Sequence, residues 1–567
     1  MTAPADASPA TLASGANPAI GEEDTAGTAE QLGEAGEAGE PGEATENADA
    51  QGTHARARDR ARGWYYAHKA SLLVLGRVLA VVGLFSAWNM QGWPGRVDDD
   101  EGTYVAEAWA MVYQHHLSHY TYWYDHPPLG WAQLAAYIWA TGGFHWYPSA
   151  IMVGREFMWW VTLASCALLF VLCRRLGFRR TTAAVTVLLF GLSPLAIYYH
   201  RMVSLDNIGM VWLLAALVIA ASRRHSLAAA FWSAVCMAVA VLSKETLAIL
   251  LPVVVWVLWQ HSQGRTRKWH LGIFATTFVE LVAFYPLFAA LRGELVPGAG
   301  HVSLGWAMWW QVFGRTGSGS LFDGHSQIHY LAVLWTGADP WLIATGMVLV
   351  PAGLLVRRLR PAALGMLIQV AMLLTGGYVP YFYVTAMLPF AALLAGGIAD
   401  TLWGPVTWRW RVPGWLPRMA AARKYLRYCG RVPVAAATVV LAALVVPQWG
   451  TTLVNKSKVD GYAGSLAATG WVERNVPRDA VIVVDDYMWL DLKLAGMNPL
   501  WAQKTGTDAQ TSHRELPHGW RSVQYVVLTT QVSGALAQLP VVASAVSHSV
   551  VVKSFADGVT VRRVVPA

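Results

Sequence analysis

The chain has 567 residues, of which 55% are hydrophobic and only 14% are charged. Ordinary soluble domains carry about a quarter charged residues, so this composition excludes a typical soluble protein. The net charge of +7 would fit nucleic-acid binding in a soluble chain, but here the basic residues fall in short loops between apolar segments, which indicates membrane topology and excludes a nucleic-acid partner.

Residues 1–62 are rich in Ala, Gly and Glu and contain almost no large apolar residues. Such a segment cannot bury enough surface to offset its chain entropy, so we expect an unstructured tail. The first apolar run, near 70–90, follows a cluster of arginines and has no small-residue cleavage site. We therefore expect this run to remain as a membrane anchor, with the tail on the cytoplasmic side.

Further apolar stretches follow along the chain, and together with the first they predict about eleven membrane-spanning helices. They lie near 150–173, 181–199, 207–221, 227–242, 246–260, 270–291, 340–356, 362–377, 380–398 and 433–448.

The basic residues test this arrangement, because successive turns must alternate between the two sides of the membrane. Every second turn carries a basic cluster, and these clusters lie within 174–180, 223–224, 265–268, 357–360 and 409–431. The intervening turns hold only scattered basic residues. The long segments 91–150 and 292–339 and everything after about 450 are therefore predicted to lie outside.

The pattern changes after residue 450. Ala480–Asp485 and Tyr525–Leu528 are typical of buried strands, and Ser465–Asn475 is typical of a helix between turns. The predicted fold class is a mainly α, polytopic membrane protein, with a transmembrane domain at 63–449 and a small extracytoplasmic α/β domain at 450–567.

The first outer segment contains acidic residues suited to proton transfer. Four carboxylates, Asp98 to Glu101, follow the first span directly. They form either a solvated turn that caps the next helix or the source of a general base for an attacking hydroxyl. Further along, Asp125 and His126 precede two prolines, which either fix these side chains in a defined pose or simply end a loop.

Two later outer turns carry basic residues at the ends of spans. One contains His200, Arg201 and Asp206, and the other contains Lys244 beside Glu245. Ionisable groups there are costly unless they pair or reach water, so they serve as phosphate ligands, as snorkelling side chains or as a local Lys–Glu pair.

The second outer segment holds a glycine-rich stretch from Gly314 to Ser320 and two histidines, His325 and His329. The stretch does not end in Lys-Ser/Thr, which excludes a P-loop. The histidines are candidates for metal ligands or acceptor contacts.

Taken as a set, these motifs resemble the GT-C glycosyltransferases of the protein O-mannosyltransferase and aminoarabinose transferase group. The resemblance covers most of 70–400. It is carried by Asp100-Glu101 before Thr103-Tyr104, Asp125-His126-Pro127-Pro128-Leu129, Arg155 at the start of the second span, Arg201 to Asp206, and Lys244 in Ser-Lys-Glu-Thr.

This resemblance implies an outward-facing active site that uses a polyprenyl-phosphate sugar donor in an inverting transfer. It makes Asp100 the base, with Glu101 and Asp125 as further catalytic residues, and places Arg201, Lys244 and His126 at the donor phosphate. His126 stands at the position where aminoarabinose transferases have Lys. The extra acidic residues Asp98 and Asp99 leave open which of the neighbouring carboxylates is the base. The supporting residues are Arg155, Asp206, His200, His325 and His329.

One branch of the group also implies a divalent metal near Asp125 and either His325 or His329. The sequence predicts no other cofactor. The expected partners are the lipid-linked donor, membrane lipid and an unidentified extracytoplasmic acceptor, which is a protein, a lipid or a cell-wall glycan.

The predicted function is therefore that of a multi-pass glycosyltransferase of the cell membrane. A transporter or lipid-linked-sugar flippase is the main alternative, because charged residues in an outward cavity also mark transport paths. A membrane scaffold that presents the C-terminal domain is a third.

Overall fold

The computed structural model of the protein describes residues 43–95, 100–223, 226–298, 301–403 and 419–565. Asp98 and Asp99 lie outside these ranges, as does the expected tail up to residue 42. The chain divides into two compact units at His68, and the larger unit, Lys69–Ala567, contains all of the predicted site residues.

Helices dominate the described residues. In chain order they are α1 (Glu43–Ala87), α2 (Asp100–Tyr113), α3 (Leu129–Thr141), α4 (Ala150–Arg175), α5 (Arg180–Leu192), α6 (Pro194–Arg201), α7 (Leu205–Ala220), α8 (Leu227–Ser243), α9 (Leu251–His261), α10 (Arg267–Leu291), α11 (Leu304–Trp309), α12 (Gln327–Ala338), α13 (Leu342–Val348), α14 (Val350–Leu355), α15 (Arg360–Leu374), α16 (Leu388–Trp403), α17 (Met419–Lys456), α18 (Ala463–Asn475), α19 (Asp486–Leu494), α20 (Ala502–Thr507), α21 (Ala509–Glu515), α22 (Thr530–Ala535) and α23 (Pro540–Ser547).

Four helical segments among the described residues are long and apolar enough to cross a membrane alone, namely Tyr65–Ala87, Ala150–Arg175, Arg267–Leu291 and Tyr381–Trp403. Two bent helix pairs, α5 with α6 and α12 with α13, raise this number to six if each pair is one span. Four shorter apolar helices accompany them, and they are Leu205–Ala220, Leu227–Ser243, Glu245–His261 and Arg360–Leu374. The protein is thus rich in membrane-compatible helices, and the total of about eleven spans stays a prediction.

Helix α1 differs from the expectation for the N-terminal tail. Residues 43–62, which the composition predicts to be unstructured, are helical. Ala, Glu and Arg recur there, and all three are strong helix formers, so low hydrophobicity did not preclude local helix.

The helical core places small residues where helices meet closely. A Cβ atom at Gly209 of α7 would lie 2.4 Å from Leu247, and one at Gly154 of α4 would lie 2.6 Å from Val203. Glycine therefore permits these approaches, as is common between membrane helices. Helix α7 packs against both α4 and α8.

The C-terminal region contains a five-stranded mixed sheet in the order β2-β1-β3-β5-β4. Its strands are β1 (Val481–Val484), β2 (Asn498–Trp501), β3 (Tyr525–Leu528), β4 (Ser549–Ser554) and β5 (Thr560–Val564). Strand β1 is parallel to β2 and β3, whereas β5 is antiparallel to β3 and β4. Both predicted strands and the helix predicted at Ser465–Asn475 are confirmed by β1, β3 and α18.

One hydrophobic core joins this sheet to the first outer segment. Buried side chains of α2 and α3 pack in the same cluster as residues of α18, α19 and β1. Within it, the rings of Trp109 and Trp489 meet edge to face with centroids 5.8 Å apart. The sheet region therefore helps to set the position of α2, the helix that begins at Asp100.

Candidate active site

Helix α2 presents a stripe of polar residues to the centre of the site. Asp100, Tyr104 and Glu107 are spaced by four and three residues, which puts them on one helical face. Burial raises the pKa of Tyr104 well above its ordinary value, and four carboxylates near the ring raise it further. They are those of Asp100, Asp125, Asp206 and Glu107. The structure thus gathers three of the predicted acidic residues, Asp100, Asp125 and Asp206, around a single buried tyrosine, together with Glu107.

Lys244, His126 and Glu245 form a connected chain. The Lys244 Nζ lies 2.9 Å from Nε2 of His126, and Nδ1 of His126 lies 3.0 Å from the Glu245 carboxylate. An ammonium group can only donate, so Nε2 must accept and Nδ1 must carry the proton that it donates to Glu245. Both ring nitrogens are therefore occupied. His126 orients Lys244 in this geometry, and the structure does not support its predicted contact with the donor phosphate.

Lys244 also faces the acidic cluster. Its Nζ lies 3.9 Å from Oδ2 of Asp206. The charges of Asp100 and Arg315 also interact electrostatically with the Lys244 ammonium. Asp206 is fixed at the start of α7, where the Ser204 hydroxyl donates to Oδ2 at 3.3 Å. Lys244 and Asp206 are both buried, so their attraction is weakly screened.

Arg315 is a functional candidate that the sequence analysis missed as an individual residue. Its guanidinium lies 4.6 Å from the ring centre of Trp310 and 4.3 Å from that of Tyr378. This aromatic clamp leaves Nε buried without a hydrogen-bond partner among the described atoms. The available signal was that Arg315 is the single basic side chain of the glycine-rich stretch between Gly314 and Ser320.

The glycine-rich stretch is docked onto a second loop. Ser318 donates its backbone N–H to the Gly377 carbonyl at 3.1 Å, and its hydroxyl accepts from the Val379 N–H at 2.9 Å. A Cβ atom at Gly317 would lie 2.3 Å from the Gly376 carbonyl oxygen, so only glycine permits this approach. The docked loop holds Arg315 against Tyr378.

Glu101 is enclosed on all sides, which corrects its predicted catalytic role. Arg155 donates to both of its carboxylate oxygens at 3.0 and 2.8 Å, and Tyr487 and the Val203 N–H donate at 3.0 and 2.9 Å. The carboxylate is fully buried and has no vacant position for a substrate proton. Glu101 therefore positions the start of α2, and Arg155, the predicted supporting residue, is its partner.

The neighbouring Gly102 contacts the sheet region directly. Its backbone N–H donates to Oδ2 of Asp486 at 2.9 Å. A Cβ atom at this position would lie 2.4 Å from that oxygen and 2.5 Å from the Asp486 carbonyl carbon. Glu101 and Gly102 are thus held by consecutive residues of α19, Tyr487 and Asp486, immediately beside Asp100.

Arg201 does not occupy the predicted phosphate position. Its guanidinium donates to backbone carbonyls of Phe85, Ser86, Trp88 and Trp93. Unsatisfied carbonyls at a helix C-terminus attract cations, and here backbone carbonyls take up four of the five N–H donors of the buried guanidinium. Arg201 therefore fixes the end of α1, as Arg155 does further along by donating to Met90, Gln91 and Pro94.

The remaining histidines lie apart from this cluster. His200 packs against the ring of Phe190, with centroids 4.7 Å apart. His329 hydrogen-bonds the Leu321 carbonyl through Nδ1, and His325 donates its backbone N–H to Asp323 in the same turn. Within the described ranges no three His, Cys, Asp or Glu side chains are grouped to hold a metal. The metal implied for Asp125 with His325 or His329 stays a prediction.

Glu107 is a second residue that the sequence analysis missed. It is buried, and its Oε2 has no hydrogen-bond partner among the described atoms. Burial and the nearby Asp125 carboxylate raise the pKa of Glu107 well above its ordinary value, whereas Lys504 opposes this shift. Its seven-residue spacing from Asp100 on one helix was the signal that could have identified it.

The sequence of the chain was compared with models of known protein families and with curated protein sequences. Residues 125–289 match the sequence model of the family described as dolichyl-phosphate-mannose-protein mannosyltransferase. This segment contains Asp125, His126, Arg201, Asp206 and Lys244. No curated protein sequence matches the chain.

Solved structures match over most of the chain. ArnT from Cupriavidus metallidurans in the apo state is 17% identical, with 89% of this chain and 98% of that chain covered at a TM-score of 0.56. ArnT from the same organism bound to undecaprenyl phosphate is 16% identical, with 88% and 98% covered at a TM-score of 0.51.

A third match is the archaeal oligosaccharyltransferase AglB from Archaeoglobus fulgidus in complex with an inhibitory peptide and a dolichol-phosphate. It is 13% identical, with 84% of this chain and 71% of that chain covered at a TM-score of 0.50. The chain therefore has the GT-C fold of these membrane proteins, which confirms the resemblance seen in its sequence motifs.

Proposed function

We propose that the protein is a membrane glycosyltransferase that transfers a sugar from a polyprenyl-phosphate donor to an extracytoplasmic acceptor. The observation that carries this proposal is the placement of buried Lys244 at 3.9 Å from Asp206 and within range of the Asp100 charge, inside a chain that shares its fold with ArnT. ArnT has been solved with undecaprenyl phosphate and AglB with a dolichol-phosphate, which supports a donor of this class.

Lys244 and Arg315 are the residues suited to the donor phosphate. Lys244 provides a compact positive charge held in place by His126, and Arg315 provides a planar fork held between two aromatic rings. Pre-positioned cations stabilise the negative charge that develops on a leaving phosphate, and they are most effective where water is excluded. Arg201 has no place in this role because backbone carbonyls occupy its donors.

The transfer is a single displacement at the anomeric carbon of the donor sugar. An acceptor hydroxyl oxygen forms the new bond to that carbon as the bond to the phosphate oxygen breaks. The electron pair leaves with polyprenyl phosphate, and the hydroxyl proton passes to the Asp100 carboxylate, which acts as general base. One displacement inverts the anomeric configuration. No step requires a metal.

Asp125 and Glu107 are assigned to substrate orientation. The charge of Asp125 acts on Tyr122 and Tyr285, and it also acts on Glu107 of α2. Burial raises the pKa of Glu107, which favours the protonated form that donates a hydrogen bond to a sugar oxygen, whereas a carboxylate oxygen of Asp125 accepts one from a sugar hydroxyl. The two carboxyl groups thus offer complementary contacts to a polyhydroxylated substrate.

The proposed topology follows from the basic clusters in the sequence. It places the 1–62 tail in the cytoplasm, about eleven spans in the domain 63–449, and the domain 450–567 outside. The contact of α19 with α2 supports locating the sheet region and the active site on the same side of the membrane.

The test is turnover of purified full-length protein with a panel of polyprenyl-phosphate sugars, followed as release of polyprenyl phosphate. Asp100→Asn should reduce turnover about 100- to 10,000-fold because the base is lost, and Lys244→Ala should mainly raise the KM for the donor. Asp479→Asn, an exposed carboxylate of the sheet region, is the matched control and should retain full activity.

Near-normal turnover by Asp100→Asn would show that Asp100 is not the general base. If Asp125→Asn lost turnover while Asp100→Asn kept it, Asp125 would be the general base instead. Absence of release by the unmodified protein with every donor would instead favour transport.

A further inference from the structure

We propose that a cavity beside the Asp125 loop is the acceptor site and that it binds a neutral glycan, which rests on the proposed function. The cavity has a volume of about 610 Å³ and lies beyond the C-terminal end of α10. Its wall combines residues between His115 and Tyr122, the end of α10 with Arg292 and Glu294, the pair His301 and Val302, and Gln510 of α21. Binding sites for small organic ligands fall within this size range.

The wall has the chemistry of a sugar site. His115, His116 and Gln510 offer side chains that can form hydrogen bonds, while Tyr122 and Phe288 offer aromatic rings. A sugar presents hydroxyl groups at its rim and C–H groups on its faces, so it uses both kinds of contact.

The charge of the wall favours a neutral ligand. Arg292 and Glu294 both line the cavity, and they pair with each other at 2.8 Å. The guanidinium and the carboxylate largely neutralise one another. Arg292, the one arginine or lysine among the described residues that line the cavity, is therefore already paired, so an anionic acceptor would have to compete with Glu294 for it.

Two tyrosines connect the cavity to the catalytic cluster. Tyr122 lines the cavity, and its hydroxyl donates to the His126 carbonyl at 2.9 Å. The hydroxyl of buried Tyr124 donates to Glu294, another residue of the wall. The cavity wall is therefore hydrogen-bonded directly to the segment that carries Asp125 and His126.

The backbone of Tyr124 reinforces this connection. Its φ of 56° lies in the left-handed region, which a bulky side chain rarely adopts. Such strain persists where surrounding contacts hold it, as the Glu294 bond does here, and it occurs often at ligand sites. The surrounding contacts thus keep the cavity wall joined to the Asp125 loop, although the backbone conformation of Tyr124 costs free energy.

Other acceptor classes fit the cavity less well. A peptide that docks by adding a strand to a sheet edge has no edge to pair with here, because none of the described residues that line the cavity belongs to a strand. Acyl chains require a mainly apolar groove, whereas Leu117, Phe288 and Val302 are the only fully apolar side chains among those lining this cavity. A glycan is the class that matches the wall.

The experiment compares binding and transfer in the full-length protein. Binding of a panel of neutral hexose and pentose oligosaccharides is measured by calorimetry, without donor. Transfer to the same oligosaccharides, to a Ser/Thr-rich peptide and to a phosphorylated glycolipid is measured with donor. Gln510→Ala and His116→Ala should each raise the KM for an oligosaccharide about five- to tenfold by removing hydrogen bonds. Gln510→Trp, which fills the cavity, should abolish oligosaccharide binding.

His513→Ala on the same helix α21 is the control and should leave both readouts unchanged, since His513 does not line the cavity. Slow hydrolysis of the donor by water should persist in every variant, because none of them belongs to the donor site.

The outcomes separate the two proposals. Oligosaccharide binding that Gln510→Trp abolishes would support the acceptor site even if no donor were turned over, in which case the proposed function alone would fail. Absence of binding by the whole panel, unchanged oligosaccharide KM in the variants, or transfer only to peptide or glycolipid would overturn the glycan site. Loss of donor hydrolysis in the variants would also overturn it, because the residues would then serve the donor.

Discussion

Substituting Gly102 by Ala tests whether the sheet region positions the active site. The added Cβ atom would lie 2.4 Å from Oδ2 and 2.5 Å from the carbonyl carbon of Asp486. Ordinary carbon contacts begin near 3.5 Å, so α19 and the start of α2 must separate by about 1 Å. This separation stretches the Gly102–Asp486 and Glu101–Tyr487 hydrogen bonds together.

Both stability and activity should fall in Gly102→Ala. Overpacking costs about 1–3 kcal/mol, and a weakened hydrogen bond to a buried charged group costs about 1.5–3 kcal/mol more. A displacement of about 1 Å at a reacting group can lower turnover about 100-fold, and Asp100 lies two residues away.

The measurements are thermal unfolding in detergent and donor turnover, with Gly324→Ala as the control because nothing lies within 4 Å of a Cβ there. If Gly102→Ala matched this control in both turnover and unfolding temperature, the positioning role of α19 would be refuted.

Two further substitutions test other assignments. Arg201→Ala should lower the unfolding free energy by about 3–5 kcal/mol, because buried carbonyls lose a charged donor. The variant protein that remains folded should keep an unchanged KM for the sugar donor. A selective rise in this KM would return Arg201 to the phosphate site. Burial raises the pKa of Asp491 to about 7, so the folded state holds a proton that the unfolded chain releases near pH 4. The unfolding free energy should therefore decline as pH rises from about 4 to 7. In Asp491→Asn, the contribution of Asp491 to this decline should be absent when unfolding is measured at each pH. An identical pH dependence in the variant would contradict this assignment.

Local sequence patterns predicted much of the fold because local chemistry determines it. Strands β1 and β3 are short apolar runs of β-branched residues between turns, and their identification needed no knowledge of distant partners. Asp125 and Lys244 were likewise predicted to lie on one side by alternation of basic loops, and the structure brings their segments together through His126.

The partners of charged side chains were not predictable in the same way. A basic residue at a helix end gives the same sequence pattern whether its side chain binds a phosphate or, as in Arg201, backbone carbonyls. The enclosure of Glu101 depends on Tyr487, which lies 386 residues away. Arg315 was overlooked because its loop was judged by its glycines, while the aromatic clamp that gives it a role comes from Trp310 and Tyr378.

The contact between α2 and α19 also orders events during synthesis. Gly102 and Asp486 are 384 residues apart, and a ribosome completes the first long before the second. The helices that hold Lys244 and Arg315 are made while Glu101 still lacks Tyr487. The nascent chain therefore lacks the contacts of Glu101 and Gly102 with α19 until the sheet region has been synthesised and has folded against α2.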